Sequence, residues 1–190
     1  MFPWTAPLFR LAGRRWSEDD FRILAESLRQ FVPVGGVFAD LGGGTGHLGA
    51  GVARILGARV IVIDVVRQML RWVPTDPLVS VRLATAEALP FPAAYFDGLL
   101  CCDALHHFKD QERAVQEMAR VVRPGGGVLV VDAEPTGLNR AVAVFERFLG
   151  EPGAFRKTDD LCRLMEAYGI QGEATAQRGG SYLFLGVVSK

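Results

Sequence analysis

The stretch Val37–Arg54, VFADLGGGTGHLGAGVAR, sets an acidic residue ahead of glycines at alternating positions: Asp40, then Gly42, Gly44 and Gly46. Glycines in such a run let the chain turn sharply and let its backbone approach a bound ligand. A second pattern overlaps the first. Gly44-x-Gly46-x-x-Gly49 has the spacing of a dinucleotide fingerprint, in which a pyrophosphate rests on the turn and on the next helix N-terminus. Asp40 separates the two readings, because a carboxylate beside the loop repels a pyrophosphate and attracts a ligand bearing an ammonium. The plainer alternative is that Asp40 only braces the loop. Asp64 ends the next apolar run, RVIVID, where a carboxylate either accepts hydrogen bonds from both hydroxyls of a ribose or caps the following helix. Further on, Cys102-Asp103-Ala104-Leu105-His106-His107 gathers groups able to move a proton: Asp103, His106 and His107. Neither the histidines nor the three cysteines have zinc-ligand spacing, so no metal site is expected.

These residues need elements to position them. SEDDFRILAESLRQFV opens with Ser17 as a helix N-cap and sets Phe21, Leu24, Leu28 and Phe31 on one face. Short apolar runs then alternate with helical ones. GVFADL, RVIVID, LVSVRLA, YFDGLLCC and GGVLVVDA read as strands. Between them, GHLGAGVARILG reads as a helix closed by Gly57, VRQMLRWV as one stopped by Pro74, and DQERAVQEMARVV as one stopped at Arg123-Pro124. Alternation of this kind predicts a parallel sheet covered on both faces. The end differs. TDDLCRLMEAYG is a helix with Thr158 as N-cap and Gly169 as its stop, and IQGEATAQ and SYLFLGVVSK are joined by a turn too short for a parallel crossover. The prediction is an α/β fold: a doubly wound, seven-stranded, mostly parallel sheet finished by an antiparallel hairpin.

Composition bounds the rest. The 190 residues, 49% hydrophobic, suit one domain over 1–190 with a single well-filled sheet core. Lys+Arg and Asp+Glu are 21 each, so no nucleic-acid partner is expected. Arg10, Arg14 and Arg15 read as a solvated lead-in. The longest uncharged run, Leu41–Ala53, is 13 residues and rich in glycine, too short for a membrane span. The N-terminus lacks the pattern of a secretory signal and the three cysteines make no even framework, which predicts a cytoplasmic protein. Two segments carry aromatic residues outside the alternating pattern. One is 1–32, with Phe2, Trp4, Phe9 and Trp16; the other is 136–157, with Phe145, Phe148 and Phe155. Both read as candidate substrate lids or as packing over the sheet edge. Nothing in the sequence bears on oligomeric state.

In order along the chain, VFADLGGGTG, VIVID, ATAEALPFPAAYFDGLLCCDALHHF and RVVRPGGGVLVV resemble the successive motifs of class I S-adenosylmethionine-dependent methyltransferases, with quinone-biosynthesis methyltransferases the nearest subgroup. The likeness runs from about Val37 to Ala133, and the terminal helix and hairpin suit that family's Rossmann-like sheet. It implies transfer of a methyl group from S-adenosylmethionine to a small-molecule acceptor, leaving S-adenosylhomocysteine. It also assigns residues: Gly42, Gly44, Thr45 and Gly46 along the methionine end with Asp40 near its ammonium, and Asp64 on the ribose. Val65 and Met69 would meet the adenine faces, Met69 being otherwise helix core, with Thr85 and Ala86 at the adenine edge. Cys102, Asp103, His106 and His107 would lie beside the transferred methyl, the last three as catalytic candidates or as structure. Two departures stand out. Thr85 replaces the Asp that usually bonds the adenine amine, which implies weaker binding. Val66 replaces a capping Ser, at a cost of about 1 kcal/mol. The alternatives are an NAD(P)-dependent oxidoreductase and a non-catalytic S-adenosylmethionine-binding protein.

Overall fold

The central strands carry side chains to two faces in turn, and both faces are apolar. In β1 (Val37–Leu41), Phe38 enters one core and Ala39 the other; in β4 (Phe96–Cys102), Leu100 and Leu99 divide the same way. A sheet with two apolar faces has to be covered twice. On one side lie α1 (Glu18–Arg29) and α2 (His47–Leu56), burying Leu24, Leu28, Leu48 and Val52. On the other lie α4 (Gln111–Val121) and α5 (Thr158–Ala167), burying Val115, Met118, Leu161 and Met165. The computed structural model describes residues 16–136, 139, 152–177 and 179–189. The aromatic residues Phe2, Trp4, Phe9, Phe145 and Phe148, and the arginines of the lead-in, lie outside that set.

With β2 (Arg59–Asp64), β3 (Val79–Leu83), β5 (Val122–Ala133), β6 (Ile170–Gln177) and β7 (Ser181–Val188), the sheet has seven strands in the order β3-β2-β1-β4-β5-β7-β6. The first five are parallel, while β7 runs antiparallel to both β5 and β6, as the short final turn requires. The order reverses between β1 and β4, which leaves a crevice beyond their carboxyl ends where such folds bind ligands. Among the described residues no helix is long and apolar enough to cross a membrane, and no group of three or more His, Cys, Asp or Glu side chains is placed to hold a metal.

The expected cap of α1 is present as a reciprocal pair. Asp20 N–H donates to the Ser17 hydroxyl at 3.2 Å, and Ser17 N–H donates to the Asp20 carboxylate at 2.8 Å. Three expected boundaries differ. The helix expected to reach Pro74 is one turn, α3 (Arg67–Leu70), then tightens into three-residue turns with Trp72 N–H on Met69 O and Val73 N–H on Leu70 O. Strand β5 begins at Val122, before Pro124, because Val122 pairs with Phe96 and a register shift before Gly98 absorbs the Pro-Gly stretch. Thr158 is the first residue of α5 rather than its cap. Its hydroxyl and N–H both donate to the Glu134 carboxylate, which brings a negative charge from the end of β5 to the helix N-terminus.

Candidate functional site

The loop from β1 to α2 crosses the carboxyl edge of the sheet at the reversal point. Gly42 and Gly44 hold φ of +72° and +55°, the left-handed region that a side chain disfavours. A Cβ on Gly42 would stand 2.5 Å from the Cβ of Ala104, so the loop presses on the segment after β4. A Cβ on Gly44 would meet nothing within 4 Å, so this turn faces open space. Gly46 is left-handed as well and caps α2, and Thr45 between them is half-buried.

Asp40 lies beneath the loop, 1% exposed. Its Oδ2 has no hydrogen-bond partner. A Cβ on either Gly43 or Gly49 would come within 2.4 Å of that oxygen, so both glycines make room for the carboxyl. Gly49 N–H lies near the same carboxyl and favours its charged form. Burial outweighs this and, with the Asp64 charge adding to it, pushes Asp40 up to about 7. The dinucleotide-like Gly44-x-Gly46-x-x-Gly49 spacing thus has a local cause: its last glycine houses Asp40.

Asp64 closes the gap between loop and β2. Its Oδ2 accepts Gly44 N–H at 2.9 Å and its Oδ1 accepts Val66 N–H at 2.7 Å. Burial raises this carboxyl too, against those bonds. Each oxygen keeps a second lone pair for a hydroxyl donor. Asp64 therefore holds the N–H of Val66, the N-cap of the next turn, rather than being that N-cap itself, and retains the capacity the ribose reading needs. Past it, Val65 is 58% exposed, an apolar surface open to a ring. Met69 is buried with Val66 and Trp72, so its side chain belongs to a small core of its own. Ala84 N–H donates to Asp64 O at 3.2 Å, which sets the exposed Thr85 and the buried Ala86 beside the same strand end.

Across the crevice, β4 ends in Cys102 and Asp103. Asp103 takes a positive φ of +49°, and its N–H donates to Val131 O at 2.8 Å. A single 3-10 turn, Leu105–His107, follows. His106 is 6% exposed, and its Nδ1 lies 2.7 Å from Oδ1 of Asp132. Its ring stacks on Phe155, centroids 4.1 Å apart and 19° between planes, and lies 4.0 Å from the ring of His107. Burial and the neighbouring His106 push His107 down to about 3, so it is neutral at working pH. The described end of the second aromatic segment is tied to this turn. Ala154 N–H donates to His106 O at 2.9 Å, and the Gln111 amide donates to both Leu105 O and Ala154 O.

The crevice thus gathers Asp40, the glycines and Asp64 on one side and Asp103, His106 and His107 on the other. The residues present fit the ligand that the motifs imply: an unpartnered buried carboxylate oxygen suits a cationic group, and the open face at Gly44 leaves it room. Sequence reading missed Asp132 and Gln111. Asp132 had one signal, an acid closing the otherwise apolar run GVLVVDA.

Comparison with known proteins bears on both fold and family. Residues 39–130 match the methyltransferase domain family. The chain is 34% identical over 161 residues to the ubiquinone/menaquinone biosynthesis C-methyltransferase of Yersinia pestis, covering 77% of this chain and 56% of that protein. The chain thus spans little more than half the length of the curated relatives it matches. Among solved structures, phosphoethanolamine N-methyltransferase 2 of Haemonchus contortus, in complex with S-adenosylhomocysteine, superposes with TM-score 0.72 at 14% identity over 88% of this chain and 53% of that one. The [4+2]-cyclase SpnF superposes with TM-score 0.73 at 17% identity over 93% and 84%. At these identities the structures speak for the fold alone, and the cyclase shows that the fold does not fix the reaction.

Proposed function

With a methyltransferase domain over residues 39–130, the chain belongs to the class I S-adenosylmethionine-dependent methyltransferases, and we propose that it moves a methyl group from S-adenosylmethionine to a small-molecule acceptor in the cytoplasm. One observation carries this reading. The buried Asp40 carboxyl, with an unpartnered oxygen, lies under a glycine loop whose open face at Gly44 adjoins Asp64. A pyrophosphate is disfavoured beside Asp40, whereas an amino-acid ammonium is attracted there and Asp64 can take a ribose.

When bound, S-adenosylmethionine supplies a methyl group already activated by its sulfonium. The protein then has to position and to exclude water. Gly42, Gly44, Thr45 and Gly46 form the backbone cradle of the methionine end, and Asp40 supplies the negative potential beneath it. Asp64 accepts the ribose hydroxyls with its remaining lone pairs while its other bonds hold Gly44 and Val66 in place. Val65 offers an adenine face, Ala86 N–H and the Thr85 hydroxyl offer its edge, and Met69 supports the turn from behind. Cys102 and Asp103 bring the end of β4 to the transfer point, with His106 and His107 one turn further on. The three cysteines are free thiols, in keeping with a reduced compartment.

Calorimetry tests the reading directly. S-adenosylhomocysteine is expected to bind and NAD to give no heat; binding of NAD alone would restore the oxidoreductase reading. Methyl transfer to at least one member of a set of quinols, phenols and amines is expected. Tight S-adenosylhomocysteine binding without any transfer would support the non-catalytic reading instead.

A further inference from the structure

Gln111, the first residue of α4, is 6% exposed and has both ends of its side-chain amide engaged. The amide N–H groups donate to Leu105 O at 3.0 Å and Ala154 O at 2.8 Å, and Oε1 accepts Arg156 Nε–H. The two donated bonds fix which end of the amide is oxygen, so Arg156 is held through Nε. Two other half-buried arginines behave differently. Arg120 and Arg123 each place Nε and both terminal nitrogens on protein acceptors, among them Glu117, Asp97 and several carbonyls. Arg156 is half-buried as they are, yet its terminal nitrogens bond no described residue, and none of the described carboxylates pairs with it. Its guanidinium is ordered at one end and unused at the other.

Arg156 borders a cavity of about 370 Å³, with Lys109 as a second cation and Phe108 as an apolar wall. That volume is within the range of small-molecule sites. Phe108 also lies against the glycine loop, since a Cβ on Gly42 would stand 3.6 Å from its Cε1. One phenyl ring thus borders both the cavity and the loop assigned to the donor. Two acids line the cavity as well. Asp110 is committed to α4, its Oδ1 accepting Arg113 N–H at 2.9 Å, and Glu112 is exposed to solvent. Glu134, within electrostatic reach of the same Tyr182 as Arg156, takes the N–H and hydroxyl of Thr158.

We propose that Arg156, positioned by Gln111, holds an anionic group of the methyl acceptor, a carboxylate or a phosphate, while the acceptor's apolar body lies against Phe108. This names a substrate class for the methyltransferase reading above and rests on it. A guanidinium presents N–H groups in a plane, and pairs of them match two oxygens of a carboxylate or phosphate. With Nε occupied by Gln111, the two terminal nitrogens remain for those oxygens. Gln111 also ties Arg156 to Leu105 and Ala154, so the fork keeps its place while the cavity is empty, and less ordering is left for binding to supply. A neutral quinol or amine offers that fork no anion.

The test uses the full chain as wild type, Arg156→Gln and Arg156→Lys, each first titrated with S-adenosylhomocysteine by calorimetry. Benzoate, phenyl phosphate and benzamide are then titrated into the loaded proteins, and hydroxybenzoates are compared with hydroxybenzamides as methyl acceptors. One of the two anions should bind the wild type at least about tenfold tighter than benzamide, and which one tells carboxylate from phosphate. Arg156→Gln should erase that preference and raise KM for the hydroxybenzoates by about 10- to 100-fold, with KM for the hydroxybenzamides and S-adenosylhomocysteine affinity as in the wild type. Arg156→Lys keeps the charge without the fork and should fall between. Equal binding of anions and benzamide by the wild type, or a preference that survives in Arg156→Gln, overturns the proposal. Should no acceptor be methylated, the binding preference decides alone. Should the variants fail to fold, the Arg156 Nε–H resonance of the wild type decides. A shift on adding benzoate or phenyl phosphate, but not benzamide, supports the proposal; a resonance that stays in place overturns it. A wild type that binds no S-adenosylhomocysteine overturns the methyltransferase reading, and one that binds it without preferring an anion overturns the role of Arg156 alone.

Discussion

The two sides of the crevice are built differently. On the side of the glycine loop, the proposed donor side, the shape is made by backbone. Gly42 and Gly44 turn in the left-handed region, Gly43 and Gly49 clear space for Asp40, and Asp64 pins the loop through Gly44 N–H. All of this lies between Asp40 and Asp64. On the other side, the proposed acceptor side, the shape is made by side chains from separated stretches: His106 after β4, Asp132 at the end of β5, Gln111 on α4 and Phe155 before α5. A site made of backbone admits few sequences and stays recognisable. A site made of side chains can be rebuilt from other residues, and so can vary with the substrate.

The sharpest way to break this contrast is Asp40→Asn, which keeps the shape under the loop and removes the charge. An acid raised from 3.8 to about 7 keeps its proton in the folded chain after the unfolded chain has lost it. The stability it contributes is therefore whole below about pH 4 and is lost as pH rises towards 7. Asp40→Asn should match the wild type at pH 4 and exceed it above pH 7 by up to about 4 kcal/mol, measured by urea unfolding at each pH. Affinity for S-adenosylhomocysteine should respond the other way. In the wild type it rises with pH through 7 as Asp40 ionises against the ammonium, and in the variant it is weaker and flat. Identical pH dependence in the two proteins would reduce Asp40 to a brace.

Contact between the sides can be measured next. Gly42→Ala puts a side chain at a φ of +72° and within 2.5 Å of Ala104 Cβ, and should cost about 3 kcal/mol of stability. Ala104→Gly in the same chain removes the collision but not the backbone strain, and should return roughly half of the loss. Full additivity of the two changes in urea unfolding would mean that donor loop and acceptor turn do not bear on each other.

The same contrast explains what could be read from the sequence. The alternation of strands and helices, the terminal hairpin, the Ser17 cap and the glycine loop all depend on local pattern and on glycine, and each can be seen in a short window. Asp132 could not be assigned that way, because its meaning depends on His106, 26 residues earlier, being folded against it. Thr158 was misjudged for a related reason. Its side chain looks like a helix cap, yet Glu134, 24 residues away, takes its hydroxyl and so supplies the cap from another element. The length of α3 escaped too, since the apolar spacing of VRQMLRWV suits both a helix and the tight turns observed.

Asp64→Ala probes a residue that serves the loop and the proposed ribose site at once. Losing charged hydrogen bonds should weaken S-adenosylhomocysteine by about 1.5–3 kcal/mol in calorimetry. Asp64→Asn separates the two duties in part, because the amide oxygen can still accept Gly44 N–H, while its NH2 takes the place of the acceptor for Val66 N–H and offers no anion to the hydroxyls. An affinity between those of the wild type and Asp64→Ala is expected. Equal affinity in all three would take the ribose away from Asp64.

The smallest expected effect is at Val66, where the donor side departs from its own pattern by using a side chain. A capping Ser at the start of a helix gains about 1 kcal/mol over a residue that cannot cap, and Val66 has no side-chain cap bond. Sequence alone therefore marks Val66→Ser as stabilising. The structure cancels that gain in two ways. Val66 is 6% exposed and packs with Met69 and Trp72, so replacing it by Ser forfeits about 1.5 kcal/mol of apolar burial. The Met69 N–H, which a capping hydroxyl could reach, is also already engaged, because it donates to Val66 O at 3.0 Å. Val66→Ser should thus change stability by less than about 1 kcal/mol in urea, on the unfavourable side. A clear gain would mean that the turn beneath Val65 is held by its cap, and that backbone governs this side of the crevice throughout.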